Sequence, residues 1–106
     1  MELHLTHPWD ISLAEAERLQ RELRAQLVLT PPPDFMPRLA AGADVSSTKY
    51  SPVVYAGFVV IDLSDMSTVA EASALTEATF PYVPGFLSFR EIPALIEAWR
   101  KLDVRP

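Results

Sequence analysis

Apolar positions recur first at helical spacing. Between Ile11 and Val28, the residues Ala16, Leu19, Leu23 and Leu27 form one stripe, and Glu15, Glu17, Arg18, Arg21, Glu22 and Arg24 fill the remaining faces. That is the pattern of an amphipathic helix. Ser12 followed by Glu15 matches a capping box, and Ile11 stands where a hydrophobic staple would. Pro31, Pro32 and Pro33 end the helix and begin a stiff connector to Pro37. From Leu39 to Ser47 the period changes to two. Leu39, Ala41, Ala43 and Val45 alternate with Ala40, Gly42, Asp44 and Ser46, which predicts a strand of small residues. Thr48 to Pro52 is a polar connection. Val53 to Leu63 is rich in Val, Ile, Tyr and Phe and nearly all apolar, as a strand covered on both faces would be. A turn follows at Ser64 to Ser67, then a third strand over Thr68 to Thr79 with looser alternation. Short turns between the three imply an antiparallel meander.

Phe80 to Arg90 breaks these periods. Pro81, Pro84 and Gly85 punctuate a loop, yet Phe80, Tyr82, Phe86 and Phe89 make it far more apolar than a solvent-exposed loop should be. Ile92 to Leu102 reads as the second main helix, with Ile92, Leu95, Ile96, Trp99 and Leu102 on one stripe. Pro93 fits there only near the first turn.

At 106 residues the chain suits one domain, residues 1–106, of α+β class. With 49% hydrophobic and 22% charged residues it is neither disordered nor membrane-spanning in composition. Met1 to His7 has no basic cluster and no apolar core, so no leader is expected, and a cytoplasmic location is. There is no cysteine, which removes disulfides, thiolate ligands and thiol nucleophiles. The net charge of −5 argues against holding nucleic acid mainly through phosphate contacts.

Three places could carry chemistry. Asp44 is an acid in the middle of a strand, where carboxylates are usually absent. Its own-face neighbours Ala40, Gly42 and Ser46 are small, so a ligand or metal could approach closely. An edge-strand charge or a turn-bonded aspartate would leave the same trace. Glu91 completes a Ser88-x-x-Glu capping box, a sufficient structural account. It could also project toward Asp44, and two acids from separate elements can hold one Mg²⁺. Tyr82, set between Pro81 and Pro84, is either a rigid outward wedge or a core aromatic under the loop. His4, His7 and Lys49 are assigned no role.

The segment Pro81-Tyr82-Val83-Pro84-Gly85-Phe86-Leu87-Ser88-Phe89-Arg90-Glu91 closely resembles the signature loop of the endonuclease V family. Ala41-Gly42-Ala43-Asp44-Val45-Ser46 resembles that family's first-strand motif, and the order of elements is similar along essentially the whole chain. The resemblance implies a partial ribonuclease H-like fold. It implies Asp44 and Glu91 as catalytic metal ligands for Mg²⁺ or Mn²⁺. Tyr82 would belong to a strand-separating wedge shaped by Pro81, Val83, Pro84 and Gly85, which also shape the pocket of a flipped hypoxanthine. The implied reaction is cleavage of a phosphodiester bond 3′ to deoxyinosine in DNA or inosine in RNA.

In that family a further parallel strand brings another catalytic aspartate, and the chain ends at Pro106 before such a strand. These 106 residues alone are therefore expected to cleave little or nothing. A non-catalytic module binding nucleic acid or a partner chain is the alternative, and a small interaction domain with purely structural acids a more distant one. The first strand would be left with a bare edge, inviting a homodimer or a complementing carboxy-terminal half. The stripe around Trp99 would lose part of its cover.

Overall fold

The computed structural model describes residues 2–4 and 7–106. Met1, Leu5 and Thr6, part of the opening stretch read for a leader, lie outside the described residues. Five elements follow one another: α1 (Leu13–Ala25), β1 (Leu39–Ser47), β2 (Val53–Asp62), β3 (Thr68–Glu77) and α2 (Leu87–Arg100).

Ser12 caps α1, its hydroxyl accepting from the Glu15 N–H at 3.2 Å. The box is closed in one direction only, because the Glu15 carboxylate pairs with Arg18 instead of returning to Ser12. Ile11 packs beside Ala16, as a staple should. The helix stops at Ala25, short of the expected Val28. Leu27, Val28 and Leu29 are exposed, so no packing supports another turn, and Pro31 could not supply a helical N–H. The predicted stripe is likewise cut short: Ala16 and Leu19 are buried, Leu23 and Leu27 are not.

The three strands form an antiparallel sheet in the order β1-β2-β3, with β2 in the centre and β1 at an edge. Register decides which residues share a face. Val45 lies opposite Ala56, and Ala56 opposite Ala74, on the side covered by α2. Asp44 lies opposite Gly57, and Gly57 opposite Ser73, on the other side. Among the described residues α2 covers one face only. Tyr55 and Val59 are 55% and 43% exposed, which corrects the expectation that β2 is covered on both faces. An all-apolar strand shows that it can be buried, not from how many sides.

α2 begins at Leu87, five residues before the expected Ile92. Pro93 therefore sits in the second turn, and the Phe89 carbonyl loses the donor that residue 93 would otherwise provide. The start is set by Phe86, which has no side-chain capping bond, so the Ser88–Glu91 capping box does not form. Small residues let the helix lie close to the sheet: Ala94 and Ala98 pack on Val54, Ala56 and Ala74. Further along, Trp99 and Leu102 pack on Val60, and the Phe58 ring meets Trp99 edge-on at 5.4 Å. Within the stripe expected to lose cover, Trp99 itself is only 5% exposed, whereas Ile92 and Leu95 are half-buried. A third cluster of Ala16, Leu19, Phe80 and Phe89 brings α1 onto the start of α2.

Candidate nucleic-acid and metal site

Asp44 stands in the edge strand on the face away from α2, exposed, in a shallow concavity with Tyr55, Val59, Glu71 and Ser73. Its Oδ1 accepts the Val45 N–H at 2.9 Å, which turns the carboxylate along its own strand. A Cβ added at Gly42 would meet nothing within 4 Å, so the approach to Asp44 along this face is open.

Glu91 comes from the opposite side of the sheet. It lies one turn into α2, half-buried, and its Oε1 accepts from the Ser47 hydroxyl at 3.1 Å. With the capping box absent, the structural account of Glu91 changes from holding its own helix to attending β1. The two acids thus meet the same strand at different points. Ser47 is three residues beyond Asp44, roughly 10 Å along a strand, and points to the other face. Among the described residues no group of three acidic or histidine side chains is gathered for a metal. The donor chemistry suits Mg²⁺, which takes a few carboxylates and keeps its remaining positions for water or phosphate. Sharing one ion would require both side chains to reach round the unpaired edge of β1.

The loop between β3 and α2 is rigid for identifiable reasons. Its stem residue Phe80 is 2% exposed, in the cluster with Ala16, Leu19 and Phe89. The Phe86 N–H closes a turn onto the Val83 carbonyl at 3.0 Å, and Gly85 takes a φ of +88°, a backbone state other residues reach only with strain. Pro81, Pro84 and Gly85 are exposed and Val83 is half-buried. Tyr82 is 40% exposed, so it is not a core aromatic, and its ring centroid lies 5.9 Å from the Arg90 guanidinium. The aromatic excess is thereby divided: Phe80 and Phe89 anchor the loop while Tyr82 is left at the surface.

Arg90, to which the sequence analysis gives no role, organises this region. It is 6% exposed, with Nη1 donating to Phe80 O at 2.9 Å and Nη2 to Thr48 O and Ser51 O at 3.2 and 2.6 Å. Its Nε is buried with no bond. One guanidinium thus ties the loop stem to the β1–β2 connection, using the fork of donors that lysine lacks. His7, to which the sequence assigns no role, sets its ring at a tilt against Trp9 at 4.5 Å and against Phe89 at 6.1 Å, extending the aromatic cluster. The role of Arg90 is not legible without the fold, since its partners are backbone carbonyls brought to it from elsewhere in the chain.

A helix-capped antiparallel meander with an acid on its edge strand and an aromatic loop leading into its last helix is an α+β unit, and it is the architecture of part of a solved nuclease. The chain belongs to the endonuclease V family, whose model, described as Endonuclease V, matches residues 21–106. The Endonuclease V of Myxococcus xanthus is 49% identical over 98 residues, covering 92% of this chain and 42% of that protein. The crystal structure of Endonuclease V from Streptomyces avermitilis superposes with a TM-score of 0.78 at 40% identity, over 92% of this chain and 43% of that one. Endonuclease V of Ciona intestinalis, solved in complex with a 24mer DNA containing an inosine followed by a ribo-adenosine, superposes with a TM-score of 0.68 at 26% identity, over 83% and 38%. The chain spans less than half the length of the curated relatives it matches.

Proposed function

We propose that this chain contributes the opening half of a metal-dependent endonuclease that cleaves a phosphodiester bond 3′ to deoxyinosine in DNA or inosine in RNA. One observation carries the reading. Glu91 is withheld from capping its own helix and is turned onto the edge strand that bears Asp44. Asp44 and Glu91 are the metal ligands in this reading, with Mg²⁺ or Mn²⁺ as the ion. Such an ion, when bound, activates water and neutralises the charge that grows on the attacked phosphate. Pro81 to Gly85 form the wedge: Tyr82 meets the base stack, and the prolines and Arg90 keep it from folding away. Inosine-bearing DNA in the Ciona relative is consistent with this partner.

The test is nicking of a single-stranded oligonucleotide with one deoxyinosine, in Mg²⁺ or Mn²⁺, by this chain and its Asp44→Ala variant. These 106 residues alone are expected to nick little or nothing; any nicking that Asp44→Ala abolishes supports the reading, and nicking at equal rates by both overturns the role of Asp44. A second reading, binding of nucleic acid or a partner chain without cleavage, is favoured by the wide spacing of the two acids along β1. Titration calorimetry with MnCl₂ separates the two, since the second predicts no heat that depends on Asp44 and Glu91 together.

Among the described residues no strand pairs with the outer edge of β1, which offers backbone donors and acceptors to another strand. Its partner in this reading is a second copy or the carboxy-terminal half of the nuclease. A single monomer by light scattering at high concentration would exclude the second copy.

A further inference from the structure

The loop from Pro81 to Gly85 is gripped at both ends, by different elements. At the near end, Phe80 is buried and its carbonyl is held by Arg90. At the far end, beyond the turn at Gly85, the grip comes from α1. Gln20 Nε2 donates to the Gly85 carbonyl at 2.7 Å, across 65 positions of sequence. Gln20 is on the exposed side of its helix, so core packing does not force this contact. Its neighbours Arg18 and Arg21 pair with Glu22 and Glu17 along the helix, whereas Gln20 reaches out of it. Ordering a long glutamine costs rotamer freedom, and the bond is what the side chain gains in return.

A loop held at one stem can pivot about it. Held at both, it presents its tip at a fixed angle, and recognition of a base requires placement to about 0.5 Å. The Gly85 carbonyl is a suitable handle, because the positive φ there turns the peptide away from the regular hydrogen-bonding of α2.

We propose that Gln20 is a positioning residue for the base-reading loop: by donating to the Gly85 carbonyl, α1 sets the angle at which Tyr82 meets nucleic acid. Gln20 acts through the loop and takes no part in holding metal or phosphate. The consequence for base reading rests on the function proposed above; the latch itself rests on geometry alone.

The test compares the unsubstituted chain with Gln20→Ala and Gln20→Glu. The first measurement is hydrogen exchange at the Phe86 amide, whose bond to Val83 closes the turn. Losing one hydrogen bond should speed that exchange about fivefold, with the β2 amides unchanged. Gln20→Glu sharpens it, since a carboxylate cannot donate. Below its ordinary pKa of about 4.3 the carboxyl regains a proton. Protection relative to the unsubstituted chain should then return in Gln20→Glu and not in Gln20→Ala. The second measurement is the affinity ratio for a single-stranded oligonucleotide with one deoxyinosine over the same strand with deoxyadenosine. It should fall about fivefold in both variants at neutral pH, with adenosine-strand affinity unchanged. Unaltered Phe86 exchange in both variants overturns the latch. Faster exchange with an unaltered ratio overturns its role in base reading. If the unsubstituted chain shows no preference for inosine, the proposed function fails instead, and the exchange and pH results decide the latch.

Discussion

The two faces of the sheet carry the same kinds of residue under opposite rules. On the face under α2, Val54, Val60 and Trp99 are buried, and even the acid there is bound on every side available to it. Asp62 Oδ1 accepts from the Ser64 hydroxyl and N–H at 2.6 and 2.8 Å, and Oδ2 from Arg38 Nε at 3.2 Å. On the open face Asp44 accepts one bond, from the next residue in its own strand, and Tyr55 and Val59 stand in solvent. Two aspartates in adjacent strands thus differ in what they are for. Asp62 completes a turn; Asp44 is left with oxygens to offer. A strand carboxylate that nothing in the fold requires is where a ligand would be sought.

Truncating the covered face should cost most. Trp99→Ala removes an indole from a packed cluster and should lower stability by about 4 kcal/mol, read from urea unfolding. Val59→Ala, across the sheet, should cost under about 1 kcal/mol. Comparable losses would mean that the open face is covered in solution, and the contrast between the faces would fail.

Arg90, which ties the loop stem to the β1–β2 connection, comes next. Arg90→Met keeps much of the volume but removes all three carbonyl bonds, and should cost about 3 kcal/mol. Arg90→Lys should recover only part of it, because an ammonium cannot span the Phe80 and Ser51 carbonyls as the fork does. If Arg90→Met melts like the unsubstituted chain, the clamp between the loop and the β1–β2 connection is ornamental.

Much of the covered face was legible in the sequence. The boundaries of β1 follow from its alternation, and the Ser12 cap follows from local chemistry, which needs no distant partner. The start of α2 was not legible, because Ser88 and Glu91 imitate a capping box while the start is set by Phe86 following the turn at Gly85. The bare second face of β2 was hidden by its apolar run. Candidate Asp44 stood out because it breaks strand propensity, and the exposed Tyr82 because two prolines frame it. Arg90 and Gln20 gave no signal: Arg90 reads as the end of a loop and Gln20 as surface helix until carbonyls tens of residues away are brought to them.

Asp44→Val tests the open edge with a smaller and opposite effect. Valine suits a strand better than aspartate, and no described partner beyond Val45 N–H is lost, so stability should rise by up to about 0.5 kcal/mol. The variant should also self-associate more at high concentration, since a charge that discourages edge pairing is gone. A clear loss of stability would show that Asp44 has a structural role and weaken its standing as a ligand.

The smallest effect concerns acid. The Ser64 hydroxyl bond, then the Ser64 N–H and Arg38, hold the Asp62 carboxyl below its usual range. A carboxyl depressed in the folded state stabilises it fully above the unfolded value, about 3.9, and that contribution is lost as pH falls through the folded value. Ser64→Ala removes the first cause, so less stability should be lost on acidification, and the loss, which begins near the same unfolded value, should be complete at a higher pH. The slope will not vanish, because Asp65, bonded by Ser67, and Glu15, bonded by Arg18, are depressed in the same direction and remain in the variant. Urea midpoints between pH 6 and about pH 2.5 read the difference, a window that brackets the ordinary carboxylate values. Superimposable profiles for Ser64→Ala and the unsubstituted chain would mean that the Asp62 turn is not held by that bond in solution. The contrast between a satisfied acid on one face and a free one on the other would then lose its first member.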